Sequence, residues 1–290
     1  MPATAARVLW RFEAIGTSWQ IESDTELPAD ARARVTALID RFDREWSRFR
    51  ADSDVTALAR GARAVPLPSD GAAMLDAYAE LSAMTGGAVN PLVGRSLESL
   101  GYDATYTLGA GVPTPAPGEW RALLDWTGDT LAQSGPGLID VGALGKGRLV
   151  DLVLAALAAD ASGDLVVDAS GDLAVRGAAV RIGLEHPYDP RRAIGVWSVQ
   201  DAALCASATN RRAWGGGLHH VLDARTGAPV RTVAATWAVH PEAMRADAIA
   251  TALFFDGGPE AAVAWGASWV RMMTDGHVEW SPQCEAELFT

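Results

Sequence analysis

The chain has 290 residues, 49% of them hydrophobic and 21% charged, with a formal net charge of −12. That length can bury a sizeable core in one large domain or two small ones, and the composition is that of an ordinary globular protein. The negative charge argues against nucleic acid as a partner, because phosphate backbones select basic surfaces; it still allows one phosphate-bearing ligand held by a local lysine, backbone amides or a metal.

The two cysteines, Cys205 and Cys284, make no disulfide framework and lack metal-ligand spacing, so both are expected as buried thiols. Arg7, Arg11 and Glu13 interrupt the N-terminus before any apolar stretch reaches signal-peptide length, and no later run reaches membrane-spanning length. The expectation is a cytoplasmic protein without a membrane segment.

In chain order, Val8–Phe12 and Gly16–Ile21 alternate loosely, as two strands or as one bent strand with a turn at Gly16-Thr17. Val35, Leu38, Ile39, Phe42 and Trp46 fall at helical spacing over Pro28–Phe49. The cluster Asp52-Ser53-Asp54 is placed to cap a short helix around Val55–Leu58, and Ser69 to cap a helix that Gly86-Gly87 stops. Residues 104–118 are rich in Pro and Gly and read as a loop. Short elements follow at Trp120–Trp126 and Thr130–Ala132. Leu138-Ile139-Asp140 reads as the end of a strand entering a glycine-rich turn, and a long apolar helix leaves it. Strands are expected at Leu165–Asp168, Val180–Leu184, Ala193–Val199, Ala203–Ala206, His219–Asp223 and Thr232–Val239. Pro241 opens a helix through Ala246–Phe255, and a helix near 259–267 and a strand at Trp269–Met273 close the fold. Helices and strands do not alternate regularly, which predicts an α+β fold.

The stretch Leu138–Asp151, centred on the turn Gly142-Ala143-Leu144-Gly145-Lys146-Gly147, is the one around which the rest is organised. Its glycines let a ligand approach the backbone, and the following helix presents unpaired amides and the positive end of its dipole, a geometry suited to phosphate. It matches neither common nucleotide fingerprint: Gly147 stands where a P-loop needs Ser or Thr, and Val150 where a dinucleotide fold needs a third glycine. By itself it is as readily a plain strand-to-helix turn. Asp247 and Thr251 share one face of an apolar helix. A carboxylate there needs a partner, which is either an arginine such as Arg245 or a hard cation such as Mg²⁺ taking oxygen ligands. His219 and His220 point to opposite sides of a strand and cannot chelate one metal together. Asp140 is placed either to contact a ligand or to cap a helix, and Asp223 reads as a turn residue.

Taken in order, these stretches resemble one family, the FAD:protein FMN transferases, also called the ApbE family. Gly16-Thr17 resembles its opening Met-Gly-Thr, and Ser47-Arg48-Phe49-Arg50 with Asp52-Ser53-Asp54 its Ser-Arg-Tyr/Phe…Asp-Ser-Asp. Leu100-Gly101-Tyr102-Asp103 has a counterpart. Asp140–Gly147 is similar to Asp-Leu-Gly-Gly-x-Ala-Lys-Gly, and Ser170-Gly171-Asp172-Leu173 to Gly-Gly-Asp-Leu. His220-Val221-Leu222-Asp223 with Thr226-Gly227 resembles His-Ile-Ile-Asp-Pro-x-Thr-Gly, and Ala246-Asp247-Ala248 with Thr251-Ala252-Leu253 resembles Ala-Asp-Ala-x-x-Thr-Ala-Leu. The set runs from Gly16 to Gly258 in the family's order.

The resemblance implies an α+β fold, a single large domain of mixed sheets with packed helices and a T-fold-related core over residues 1–290; the Pro- and Gly-rich loop near 104–118 offers a boundary between halves, though nothing in it marks a true linker. It implies an enzyme that binds FAD and Mg²⁺, breaks the pyrophosphate, attaches FMN to a Thr or Ser of an acceptor protein and releases AMP. Ala143 (through its carbonyl), Asp247 and Thr251 would hold the metal. Ile15, Phe49, Ala88, Val89, Asn90, Asp140, Lys146 and Val221 would line the FAD site. His220, with Asp247 behind it, would act on the acceptor hydroxyl. Hydrolysis of FAD to FMN and AMP, and flavin binding without catalysis, are the alternatives on the same scaffold. Five positions depart from the family pattern: Ile15 replaces Met, Ala59 replaces Asn, Val89-Asn90 replaces Phe-Asp and Ala224 replaces Pro.

Overall fold

The computed structural model describes residues 7–109 and 111–289, so residue 110 of the expected loop lies outside the described residues. Its centre is an eight-stranded sheet whose spatial order follows the chain: Val8–Ala14, Thr17–Ser23, Leu165–Asp168, Asp172–Arg176, Ala202–Ala208, Val233–His240, Ser268–Met273 and Val278–Trp280. Every neighbouring pair is antiparallel. The sheet is a meander into which the remaining elements are inserted, and the largest insertion, between Ser23 and Leu165, carries most of the helices.

Period-two alternation sends adjacent residues to opposite faces. Leu165, Val167, Ala203 and Cys205 face the helices in the larger apolar core. Val166, Leu173, Val175 and Leu204 face a second core shared with Leu184, Ile194, Trp197 and Val199. Those last residues belong to a three-stranded sheet made of Val180–Glu185, Ala193–Val199 and Glu287–Leu288. The result is helices, large sheet and small sheet in three layers, the α+β class the sequence predicts. Among the described residues no helix is long and apolar enough to cross a membrane.

Most elements form where the sequence places them, and the differences have local causes. The first long helix runs Ala29–Trp46, burying Val35, Ile39, Phe42 and Trp46. Ser53 caps Asp54–Ala59 through its side chain, which accepts the Thr56 amide. Ser69 is not a cap: the next helix is Gly71–Met84, and Asp70 precedes it without a side-chain cap bond. Leu138-Ile139-Asp140 is not a strand. Two backbone bonds hold it beside residues 91–94, Gly94 N–H to Leu138 O and Asp140 N–H to Pro91 O, too few for a ladder. The strand expected over His219–Asp223 is broken at His220 into Leu218–His219 and Leu222–Asp223. The helix expected from Pro241 begins at Ala243. The fold does not close at Met273; Val278–Trp280 and Glu287–Leu288 add one strand to each sheet.

Candidate functional site: a cleft between two helices and the sheet

The glycine turn leads into the helix Gly145–Leu157, which packs closely against the helix Ala243–Ala252. A Cβ on Gly147 would stand 2.2 Å from the Ala243 carbonyl oxygen and 2.7 Å from the Asp247 Cβ, so only glycine permits this approach. At the same point the Gly147 N–H donates to Asp247 Oδ2 at 2.9 Å. In a regular helix that amide would bond the carbonyl four residues back, which is Ala143. Among the described residues no hydrogen bond reaches the Ala143 carbonyl, whereas the adjacent Arg148 N–H does bond Leu144 O. Diverting one amide thus holds Asp247 and frees a carbonyl in one move.

Beside these helices lies a cleft of about 880 Å³. The residues that the resemblance assigns to the site all line it: Ile15, Phe49, Ala88, Val89, Asn90, Asp140, Ala143, Lys146, His220, Val221, Asp247 and Thr251. Asp247 is 3% exposed, and its carboxyl is pushed well above the ordinary carboxylate range, by burial first and by the Asp172 charge second, with Lys146 opposing. It is not paired with Arg245, which bonds Glu242 instead. Asp172 is fully buried. Lys146 Nζ stands 3.0 Å from its Oδ2 as an ion pair, yet among the described residues no hydrogen bond of good geometry reaches either Asp172 oxygen. Burial alone would lower the Lys146 pKa, but the Asp172 and Asp247 charges outweigh it, and the net shift is upward.

This donor set fits a hard cation. It has two carboxylates against one ammonium, a free main-chain carbonyl at Ala143, and the Thr251 hydroxyl one turn from Asp247. Oxygen donors of this kind suit Mg²⁺ with waters and ligand phosphates completing its shell. Among the described residues no group of three or more His, Cys, Asp or Glu side chains could hold a metal, so a cation here would depend on the carbonyl, the hydroxyl and the ligand itself.

The two histidines separate as expected. His219 is fixed by Val230 O at 2.8 Å from Nε2, and its Nδ1 accepts the Val221 amide. His220 faces the cleft with Nδ1 unbonded. Burial, then Arg212, His219 and Lys146, push its pKa down to about 3, so the ring is neutral near pH 7. Asp140 is occupied on both oxygens: Oδ2 by Arg48 Nε at 2.5 Å and Oδ1 by the Gly142 N–H at 2.7 Å. Asn90 is likewise engaged, accepting from Leu92 N and donating to Pro117 O. Those two side chains brace the wall of the cleft.

Several lining residues were not singled out from the sequence. Arg48 is 4% exposed, donates to Tyr102 O, and lies 4.1 Å from the Phe49 ring centroid and 4.9 Å from that of Tyr102. Phe49 stacks on Tyr106 at 5.5 Å, and Tyr102 on Trp214 at 5.5 Å, giving one wall an aromatic surface. Arg212 donates to Tyr102 Oη and lowers the pKa of His220 through its charge. Tyr78 Oη donates to Asp140 O and accepts the Ala143 N–H, tying the glycine turn to the helix Gly71–Met84. Asp172 had a signal available, an acid at the head of the apolar strand Leu173-Ala174-Val175. Arg48 lies in a stretch that carries the resemblance but was given no role there, and Arg212 had no signal beyond its charge.

Fold and cleft together define an α+β domain with one deep, oxygen-lined and partly aromatic cleft at the joint of two helices and a sheet. Residues 15–272 match the ApbE family, and the chain belongs to it. Two relatives are each 28% identical: an FAD:protein FMN transferase of Rhodobacter capsulatus, over 99% of this chain and 60% of the relative, and one of Treponema pallidum (strain Nichols), over 84% and 77%. The chain thus spans about three fifths of the length of the first and about three quarters of the second. The fold is shared with the ApbE protein of Thermotoga maritima MSB8, at TM-score 0.82 and 23% identity over 96% of this chain and 97% of that one. It is shared also with the flavinyl transferase ApbE of Pseudomonas stutzeri in its apo form, at TM-score 0.79 and 20% identity over 96% and 95%.

Proposed function

We propose that the chain is a Mg²⁺-dependent flavin transferase that moves FMN from FAD to a Thr or Ser hydroxyl of an acceptor protein and releases AMP. The observation that carries this reading is the Ala143 carbonyl freed beside Asp247 and Thr251. The names of the two relatives support the substrate, and the cleft volume falls in the range of about 300–1,000 Å³ that encloses whole small molecules.

Phosphoryl-type transfer needs positioning and charge neutralisation more than covalent help. When bound at Ala143, Asp247 and Thr251, Mg²⁺ would neutralise pyrophosphate oxygens and charge developing on the departing group. Lys146, protonated because Asp172 and Asp247 outweigh its burial, adds a fixed positive charge on the same side. Ile15, Ala88, Val89 and Val221 form apolar wall, and Phe49 offers a ring face for a flat heterocycle. In the transfer step the acceptor hydroxyl oxygen attacks the FMN-side phosphorus. The bond from that phosphorus to the bridging oxygen breaks, and AMP leaves with the electron pair. His220 Nδ1, neutral and unbonded, takes the hydroxyl proton. The bare cleft makes His220 a weak base, and an anionic pyrophosphate beside it would raise its affinity for that proton.

The reading is tested by incubating the protein with FAD, Mg²⁺ and a Thr-bearing acceptor domain while following AMP release and the acceptor's intact mass. A mass gain matching one FMN supports transfer. AMP without that gain indicates hydrolysis, and bound flavin without AMP indicates a carrier. His220→Ala at saturating FAD and Mg²⁺ should lose most of the transfer rate, by about 10²–10⁴-fold for a general base. A variant as fast as the parent removes His220 from the mechanism.

A further inference from the structure

We propose that Asp151, which does not line the cleft, is a positioning residue that sets the register of the Asp247 helix and through it the cation affinity of the site. The inference rests on Asp247 and Thr251 being cation ligands.

The first amides of a helix lack intrahelical partners. In the helix Ala243–Ala252 the preceding residue, Glu242, makes no side-chain cap bond. The cap comes instead from the neighbouring helix. Asp151 Oδ1 accepts the Ala243 N–H at 2.8 Å and Oδ2 the Met244 N–H at 2.9 Å. A carboxylate at this end also meets the positive pole of the helix dipole.

The pattern is reciprocal. Gly147 and Asp151 lie four residues apart on one helix, Ala243 and Asp247 four apart on the other. Gly147 N–H bonds Asp247, and Asp151 bonds Ala243. Two ties one helical turn apart therefore lock the pair against sliding, and the backbone contact at Gly147 leaves no slack between them. Only the Gly147–Asp247 tie includes a cation ligand. The Asp151 tie holds the same register from outside the cleft. From the sheet side, Thr236 Oγ1 donates to Ala250 O at 2.6 Å and Cys205 Sγ to Ala243 O at 3.4 Å, so the end of the helix is held by a hydroxyl and its start only by a weak thiol donor. Without Asp151 the first amides lose their carboxylate and the start keeps only that thiol contact and the packing on Gly147; Asp247 then shifts relative to the Ala143 carbonyl, which sits in the turn before the other helix. Cation ligands tolerate displacements of only a few tenths of an ångström.

The test measures Mn²⁺ by electron paramagnetic resonance, with ADP as the pyrophosphate-bearing probe, in the parent, Asp151→Ala, Asp151→Asn, Glu242→Ala and Asp247→Ala. The protein-dependent Mn²⁺ Kd should rise about tenfold in Asp151→Ala, equal to about 1.4 kcal/mol. It should rise less in Asp151→Asn, which keeps one acceptor oxygen, and not at all in Glu242→Ala. ADP affinity in EDTA should be unchanged in both Asp151 variants. If thermal stability falls while Mn²⁺ affinity stays at the parental value, the cap serves stability only and the inference is overturned. It is overturned as well if ADP affinity in EDTA falls in step, because the whole cleft has then changed. A parent without Asp247-dependent Mn²⁺ binding overturns the cation reading first and this inference with it.

Discussion

The Gly147 amide meets the Asp247 carboxylate at 2.9 Å across 100 residues of sequence. This contact joins the glycine turn to the second helix, satisfies a buried carboxylate oxygen, and leaves the Ala143 carbonyl without an intrahelical donor. Three sequence features thus meet at one point: a glycine that permits close approach, an acid on an apolar helix, and a bland alanine whose backbone carbonyl is left free.

Adding a methyl group at that contact tests it directly. Gly147→Ala should cost about 1–3 kcal/mol, as overpacking does, because the Cβ meets the Ala243 carbonyl at 2.2 Å. Urea denaturation measures the loss. An unchanged midpoint would show that the two helices are not held this closely.

Asp247 should weaken the metal-free fold. Its folded-state carboxyl titrates well above its unfolded value near 3.8. The native state therefore keeps the proton where the unfolded chain has lost it, and the associated stability is present in acid and lost as pH rises. In EDTA, Asp247→Asn should raise Tm at pH 7, by about 2–4 °C for each kcal/mol gained in a large domain, and by less at pH 4. Calorimetry at the two pH values decides; a lower Tm at pH 7 contradicts the sign.

The Arg48–Asp140 pair should behave as a buried ion pair broken from one side. The two side chains are 2% and 14% exposed, so Arg48→Ala is expected to cost about 3–5 kcal/mol. Chemical denaturation giving a loss below about 1 kcal/mol, the range of exposed pairs, would mean that water already screens it.

The aromatic wall predicts a change in binding with little change in stability. Tyr106 is 52% exposed and stacks on Phe49 at an interplanar angle of 6°. Tyr106→Ala should weaken FAD binding by about 2–10-fold, the scale of one aromatic contact, and leave the unfolding midpoint nearly unchanged. Flavin fluorescence titration reads the affinity; equal affinities would place the ring of FAD elsewhere.

What the sequence revealed and what it hid follow from the range of the interactions. Asp247 and Thr251 were legible as a pair because helical spacing alone puts them on one face. The start of their helix was not, because Pro241 is a local signal whereas the cap is Asp151, 92 residues away. Ser53 could be placed because its cap bond is local; Ser69 could not, because the helix after it begins two residues later with no side-chain cap. Leu138-Ile139-Asp140 looks like a strand in isolation, yet its backbone partners are a turn at Pro91 and the first residue of the helix Gly94–Ser99. Arg48 and Asp172 lie in stretches that carry the resemblance, yet their partners, like those of Arg212, are brought to them only by the sheet and the aromatic cluster. The strand Glu287–Leu288 is two residues long and has no periodicity to read.

The central claim is that Ala143, Asp247 and Thr251 hold the cation on which flavin transfer depends. Its most direct test is a Mg²⁺ titration of chelator-treated protein with FAD and the Thr-bearing acceptor, scored by the acceptor's intact mass, for the parent and Asp247→Ala. The account predicts no mass gain without Mg²⁺, a saturable gain of one FMN in the parent, and none in the variant at any Mg²⁺ concentration that saturates the parent. Transfer in the presence of chelator, or an Asp247→Ala variant that turns over like the parent, would contradict it.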